Sequence, residues 1–380
     1  MILIILPKNN PLEEAKPKPV VSAMIPYVLY SSYKEEICIF SSYTDNPKID
    51  VNNKIFSKQQ STKKKYILAV LLEIQRLLDN GISIPIVEVH QDVSLAGIIA
   101  KNFPNIRVSV IKHGDYCINR FKEKFSLIRW FYYNRYIKYL HSIYTISNYV
   151  RLAIEKDYPK METKIFTVYN TYGHISQSLI TQENNNKKNQ IVFAGKPVAH
   201  KGISEFILSL PPVLNKHLDY KAIIIGAFFS KKGKYLKEID GLFEKNDIRK
   251  LIDDSRIVFL KNLNPDEVFK NMAESKIAVV PTKTNEPFGL VCLESHLAKC
   301  AVVSSGNGGL SEISGDYALY LDCVSKDEIS NKLNILIENE KKLRILASSG
   351  FEYTYNKFDP KKLALILDAK RQESINEYKN

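Results

Sequence analysis

The residues with the clearest chemical potential lie in the segment Glu286-Pro-Phe-Gly-Leu-Val-Cys-Leu-Glu294. An apolar run, Ile277–Pro281, precedes this segment and predicts a buried strand. Gly289 stands where a helix should begin, and a helix N-terminus favours negative charge and lets backbone N–H groups approach an anion. Carboxylates on either side can accept hydrogen bonds from sugar or ribose hydroxyls. The segment therefore indicates a ligand that carries both phosphate and hydroxyl groups.

A second segment, Phe193–Gly202, follows another predicted strand and contains Gly195, Lys196 and Lys201. Lysine side chains after a strand can supply positive charge to a phosphate, although lysines on loops are most often simply solvated. Two histidines, His90 and His113, each end a predicted strand. Ligands of open α/β sheets bind outside the carboxyl ends of the strands. All of these side chains are therefore predicted at the ligand-binding edge of a sheet.

The elements that position these residues alternate along the chain. Short apolar runs are separated by segments of helical period such as Lys65–Leu78 and Gly202–Leu214. Strands that alternate with helices predict βαβ units, parallel sheets and the α/β class. The predicted strands are Met1–Leu6, Glu36–Phe40, Ile84–His90, Arg107–His113, Ser142–Ile146, Lys164–Tyr169, Gln190–Ala194, Lys221–Ile225, Arg256–Leu260, Lys276–Val280, Ala301–Ser304 and Ala318–Leu321.

A length of 380 residues favours two domains. The polar segment Thr181–Gln190 separates two strand-rich halves and is interpreted as a linker. We expect a first domain over residues 1–175, a second over residues 176–358, and a C-terminal helix over residues 359–380.

The net charge of +13 predicts an acidic partner, which could be nucleic acid, anionic lipid or a phosphorylated substrate. The five cysteines show no CxxC pair, so neither a zinc site nor a disulfide framework is indicated. No apolar run approaches the roughly 20 residues that span a bilayer. These features predict a cytoplasmic protein.

The two glutamates, with Pro-Phe-Gly after the first, resemble the signature of retaining GT-B glycosyltransferases of family GT4, the glycosyl transferases group 1. The resemblance implies two Rossmann-like domains facing across a cleft, with the C-terminal helix crossing back to the first domain. It also implies a hexosyltransferase-type enzyme that moves a sugar from a nucleotide-diphosphate sugar to a hydroxyl of a glycan or lipid-linked acceptor. The commonest donor nucleotide in the family is UDP, and the expected pathway is lipopolysaccharide or surface polysaccharide biosynthesis.

The resemblance assigns catalytic roles to Glu286, His113 and Lys201, which would orient the donor sugar and neutralise its phosphates. No metal or cofactor is expected, because the sequence has no Asp-x-Asp motif. The glycine-rich stretch Ser305–Glu312 also resembles the family, either as a structural turn or as part of the ligand site. Donor-binding roles are implied for Gly195, Lys196, Lys201, Phe288, Gly289, Leu290 and Glu294.

Two departures from the family pattern concern the phosphates. Lys196 stands where an arginine is usual, and the loop Pro7–Pro19 lacks the usual Gly-Gly pair. A lysine supplies a point charge rather than a planar fork of donors. Lys16 and Lys18 in this loop, together with His90, are predicted on the acceptor side.

The stretch Arg120–Leu140 interleaves basic and aromatic residues. It favours contact with an anionic membrane surface, on the inner face of the cytoplasmic membrane, or else a packed helix with solvated lysines. No nucleic-acid partner is expected. Two alternatives stay open, namely a nucleotide-sugar 2-epimerase of the same fold and a basic binding protein without catalysis.

Overall fold

The computed structural model describes residues 1–10, 12, 19–42, 53–57, 62–114, 135–158, 164–182, 187–226, 241–261 and 263–379. The chain forms two compact units. The first comprises Met1–His174 together with Phe358–Asn380, and the second comprises Ile175–Lys357. The predicted domain boundaries lie at residues 175 and 358. Each unit is built from parallel strands and helices, so the predicted α/β class is confirmed.

The first unit has a seven-stranded parallel sheet in the order β3-β2-β1-β4-β5-β6-β7. Its strands are apolar along most of their length, as expected where helices cover a parallel sheet. Strand β3 was not predicted, because its sequence Asn-Lys-Ile-Phe-Ser contains only two apolar residues at the sheet edge. The strands are β1 Ile2–Ile5, β2 Ile37–Ser42, β3 Asn53–Ser57, β4 Ile86–His90, β5 Arg107–Lys112, β6 Ser142–Thr145 and β7 Ile165–Thr167.

Three helices of this unit begin at polar caps. The side chains of Thr62, Asp92 and Ser147 each accept a hydrogen bond from a backbone N–H in the first helical turn. Such caps satisfy N–H groups that have no partner inside the helix. The helices are α1 Pro19–Leu29, α2 Lys63–Asp79, α3 Val93–Asn102 and α4 Asn148–Asp157.

The second unit has a six-stranded parallel sheet in the order β10-β9-β8-β11-β12-β13. The strands are β8 Lys188–Ala194, β9 Lys221–Ile225, β10 Ile257–Leu260, β11 Ser275–Val280, β12 Ala301–Ser304 and β13 Ala318–Tyr320. The helices are α5 Gln177–Thr181, α6 Ile203–Lys216, α7 Asn246–Asp253, α8 Pro265–Glu274, α9 Leu290–Leu297, α10 Leu310–Ser314, α11 Lys326–Glu338 and α12 Glu340–Lys357.

The polar segment Thr181–Gln190 lies inside the second unit and not between the two units. Strand β8 begins within this segment at Lys188, whose side chain forms an ion pair with Glu274 at the surface. The polar residues of this segment therefore include the exposed start of a strand. A sequence pattern does not distinguish such a strand start from a linker.

The C-terminal helix α13, Pro360–Lys379, belongs to the first unit and packs against α1. Its Arg371 is buried and donates two hydrogen bonds of 2.8 Å to the carboxylate of Glu88 on β4. The same guanidinium donates to Asp368 at 2.9 Å and to the Ser31 hydroxyl at 3.1 Å. These bonds fasten the end of the chain to the centre of the first sheet.

Candidate functional site

The candidate ligand residues of the second unit follow two neighbouring strands. Strands β8 and β11 pair in parallel at the centre of the sheet, where the strand order reverses. Ligands of α/β sheets bind in the crevice at such a reversal, outside the carboxyl ends of the strands. The segments 195–202 and 281–289 emerge there side by side.

A glycine brings these two segments into direct contact. Gly202 has a φ of 72° and begins helix α6. A Cβ atom at this position would lie 2.0 Å from the carbonyl oxygen of Pro281. The backbone N–H of Lys283 also donates to the carbonyl of His200 at 2.7 Å. Only glycine fits at residue 202, because any side chain would push the two segments apart.

The contact between the segments aligns a cation with a carboxylate. The Lys201 ammonium donates a hydrogen bond to the Glu286 carboxylate, although the two residues are 85 positions apart in sequence. The side chains are 29% and 15% exposed, so both are partly shielded but reachable from solvent. Lys196, on the same segment, is exposed, and Gly195 continues the sheet through a 3.0 Å bond to the Ile225 carbonyl.

The glycine-rich stretch 305–312 holds the backbone of Glu286. Glu286 forms a parallel bridge with Gly308, and its carbonyl accepts a 2.7 Å hydrogen bond from the N–H of Gly309. A Cβ atom at Gly308 would lie 2.5 Å from the Glu286 carbonyl oxygen. Asn307 completes the turn by donating its side-chain amide to the Thr282 carbonyl at 2.8 Å. The stretch therefore has a structural role in positioning the glutamate.

The N-terminus of helix α9 lies directly after this glutamate. Gly289 has a φ of 110° and caps the helix without a side-chain hydrogen bond. Phe288 is 2% exposed, so its side chain belongs to the core. The N–H groups at a helix N-terminus, such as that of Leu290, lack the acceptor of a preceding helical turn. The Cys292 N–H, also in the first turn, donates to the Gly289 carbonyl at 2.9 Å. Glu294 follows one turn later and is half-buried.

Two further polar side chains lie close to this site, namely Glu205, which was not predicted, and Ser305, the first residue of the predicted glycine-rich stretch. Glu205, in the first turn of α6, forms an ion pair with Lys283, and its second carboxylate oxygen is buried with no hydrogen-bond partner among the described residues. The hydroxyl of Ser305, directly after β12, is also buried and has no partner in the described part of the chain. The sequence signal for Glu205 was its place in the first turn of a helix, where acidic side chains are favoured.

In the first unit, His90 ends β4 and His113 follows β5. His90 Nδ1 lies 2.9 Å from His113 Nε2, and His90 is 2% exposed. Burial and the positive charge of Arg371 lower the pKa of His90 to about 3. Burial, His90 and Lys112 hold the pKa of His113 well below its usual value. A buried His90 does not present its ring on the surface of this unit.

Some of the residues predicted to contact the acceptor or a membrane lie outside the described residues. Lys16, Lys18 and most of Arg120–Leu140 lie outside the described residues. Within the described ranges, His, Cys, Asp and Glu side chains form no group of three that could hold a metal ion. No helix in the described part of the chain is both long and apolar enough to cross a membrane.

Replacing Gly202 with alanine should lower the free energy of unfolding of the second unit by about 2 kcal/mol or more, because φ is positive and the Cβ meets Pro281. It should also weaken ligand binding by separating Lys201 from Glu286. Thermal unfolding with and without ligand measures both effects. Gly241→Ala is the matched control, since its Cβ would meet nothing within 4 Å. Equal melting temperatures for the two variants would contradict the contact described above.

Comparison with known proteins gives a family match within the second unit. Residues 177–352 match the model of the family described as glycosyl transferases group 1. This match confirms the resemblance to the glycosyl transferases group 1 that the segment Glu286–Glu294 indicated, and it is consistent with family GT4.

Two curated relatives match shorter segments. An uncharacterized glycosyltransferase of Methanocaldococcus jannaschii is 32% identical over 123 residues, which are 32% of this chain and 28% of the relative. The capsular polysaccharide biosynthesis glycosyltransferase CapM of Staphylococcus aureus is 24% identical over 171 residues, which are 44% of this chain and 42% of the relative. The matched segments thus span less than half the length of these relatives.

A solved structure covers nearly the whole chain. The Anabaena protein HepE, crystallised with UDP, has a TM-score of 0.73 and 16% sequence identity, covering 98% of this chain and 99% of that one. HepE has also been crystallised with UDP-glucose, and that structure gives a TM-score of 0.71. At this identity the likeness concerns the fold. The chain therefore shares the GT-B fold of these structures, and residues 177–352 of its second unit are similar to the glycosyl transferases group 1 family.

Proposed function

We propose that this protein is a retaining glycosyltransferase that moves a sugar from a UDP-sugar to a hydroxyl of a glycan or lipid-linked acceptor. The observation that carries the proposal is the Lys201–Glu286 pair at the reversal point of the second sheet, next to the N-terminus of α9. A cation, a carboxylate and a helix N-terminus together match the phosphates and hydroxyls of a nucleotide sugar.

The nucleotide would be bound by groups on both segments. Lys196 and Lys201 offer positive charge to the diphosphate, and the first-turn N–H groups of α9 add hydrogen-bond donors. Glu294 would accept hydrogen bonds from the ribose hydroxyls. The UDP and UDP-glucose complexes of HepE support this choice of donor.

In the reaction, the bond between the anomeric carbon and the diphosphate oxygen breaks, and negative charge develops on the leaving phosphate. Preorganised positive groups lower the barrier where such charge develops. Lys201 would provide this stabilisation, while Glu286 accepts hydrogen bonds from the donor sugar and orients its anomeric carbon. The acceptor hydroxyl would attack on the face from which the phosphate leaves, and its proton would pass to that phosphate. No metal ion takes part in this scheme.

The acceptor class is inferred from more general features. The name of the Staphylococcus aureus relative supports a role in surface polysaccharide synthesis. The net charge of +13 suits a lipid-linked acceptor presented at an anionic membrane, where Arg120–Leu140 would make the contact. The proposal therefore places the enzyme in the cytoplasm, at the inner face of the membrane.

A thermal-shift screen against UDP, GDP and ADP tests the nucleotide site. We expect UDP to raise the melting temperature, because a ligand at 100 times its Kd stabilises the folded state by about 2.7 kcal/mol. Glu294→Ala should lose most of this shift, measured from its own melting temperature. Glu352→Ala, which removes an exposed carboxylate from the same unit, should keep it. Equal shifts of the melting temperature in both variants would contradict the proposed ribose contact. No shift with any of the three nucleotides would contradict the whole site.

A further inference from the structure

The two histidines of the first unit form a closely coupled pair. Their ring centroids lie 5.1 Å apart with an angle of 21° between the planes, and a single 2.9 Å contact joins His90 Nδ1 to His113 Nε2. One of these nitrogens must donate and the other accept. His90 is buried, whereas His113 is half-buried. The ring of His90 therefore controls which nitrogen of the His113 ring carries hydrogen.

The backbone around the pair is also fixed. Gln91 has a φ of 66°, a conformation that residues other than glycine adopt only where their surroundings impose it. Its backbone N–H donates to the Ile111 carbonyl at 2.8 Å, and its side-chain oxygen accepts from the His113 backbone N–H at 2.8 Å. The ring of His113 is thus held by His90 and its backbone by Gln91. Such strained, over-determined residues cluster at functional sites.

The second nitrogen of His90 decides the direction of the hydrogen bond. His90 Nε2 is buried and has no hydrogen-bond partner among the described residues. His90 lines a cavity of about 20 Å³, which is large enough for one water molecule. Glu88 and Arg371 line the same cavity, and both Glu88 carboxylate oxygens already accept 2.8 Å hydrogen bonds from Arg371. The Arg371 guanidinium presents only hydrogen-bond donors, and its positive charge acts on His90. A nearby cation favours a lone pair over an N–H group on Nε2, and this leaves the hydrogen of His90 on Nδ1.

We propose that His90 is a positioning residue that donates its Nδ1–H to His113 Nε2 and so fixes His113 as the neutral tautomer with hydrogen on Nδ1. This inference rests on the proposed function, because its effect on turnover presumes that the protein transfers a sugar. A ring held in this form donates a hydrogen bond and does not act as a general base. Among the described residues, Lys112 and Arg371 are charged groups that act on the pair, and Glu88 lines the cavity beside it.

Nitrogen NMR of the full-length protein, labelled with ¹⁵N-histidine, tests the tautomer directly. The chain has seven histidines, and a His113→Asn variant assigns the signals of residue 113. We expect His113 to show a protonated Nδ1 and an unprotonated Nε2 at every pH from 6 to 8. A protonated Nε2, or a doubly protonated ring at pH 6, would overturn the proposal. This measurement needs no ligand, so it can fail while the UDP screen succeeds, and the reverse also holds.

Two variants at the inner position test the consequence for turnover. His90→Gln keeps a side-chain N–H that can donate to His113, whereas His90→Leu removes the donor. We expect kcat to fall about tenfold in the leucine variant, with the KM for the donor unchanged, and to recover in the glutamine variant. Equal kcat values for the leucine variant and the native enzyme would show that the pair has no positioning role. A loss of stability alone would lower the fraction of active protein in both variants, and it would not produce a difference in kcat between the leucine and glutamine variants.

Discussion

Replacing Lys201 with alanine is expected to lower kcat for sugar transfer by about 10²–10³-fold, the cost of removing one preorganised group that stabilises developing charge. The lysine lies beside Glu286 at the carboxyl ends of the central strands, and its charge is partly shielded from water. Shielding strengthens its interaction with a leaving diphosphate. Release of UDP from a UDP-sugar in the presence of acceptor measures the effect.

The control for Lys201→Ala is Lys188→Ala, which removes another lysine that pairs with a glutamate in the same unit. Lys188 is exposed at the start of β8, so its removal should leave kcat within about twofold, as for most surface pairs. Both proteins should melt at similar temperatures before their rates are compared. Equal losses of activity in the two variants would show that Lys201 has no special part in the reaction.

The second large effect concerns stability. Arg371→Ala should lower the free energy of unfolding of the first unit by about 3–5 kcal/mol, because it leaves the buried carboxylate of Glu88 without its partner. Both side chains of this pair are 1% exposed. Denaturation by urea gives the free energy, and hydrogen exchange of the β4 amides localises the loss to the first unit.

A double variant separates the pair from the packing around it. Replacing Arg371 with methionine and Glu88 with leucine together removes both charges, and such replacements of buried pairs are often neutral or stabilising. We expect the double variant to be clearly more stable than Arg371→Ala, although Asp368 and Ser31 also lose a donor. If the double variant were no more stable than the single one, the cost would come from lost volume and not from an unpaired carboxylate.

The strands were predictable because their signal is local. Runs such as Ile2–Ile5 and Ser275–Val280 are apolar over their whole length, as buried parallel strands require. The segment Glu286–Glu294 could be interpreted for the same reason, since its glycine and carboxylates are close together in sequence. Strand β3 escaped prediction because an edge strand needs fewer apolar residues.

The contacts that build the candidate site were beyond sequence reasoning. Lys201 contacts Glu286 only because β8 and β11 are neighbours in the sheet. Neither segment contains a local pattern that predicts which strands are neighbours. The bond between His90 and His113 likewise depends on the pairing of β4 with β5. From the sequence, Arg371 is expected to be a solvated residue of a polar helix, because its partner Glu88 lies 283 positions away. Long-range pairing decides each of these contacts.

The most direct test of the proposed donor site is a crystal structure of the protein with UDP. We expect the diphosphate to lie against Lys201 and the N-terminus of α9, with the ribose hydroxyls within hydrogen-bond distance of the Glu294 carboxylate. UDP bound away from these groups, or no bound UDP at a concentration well above that which raises the melting temperature, would contradict it.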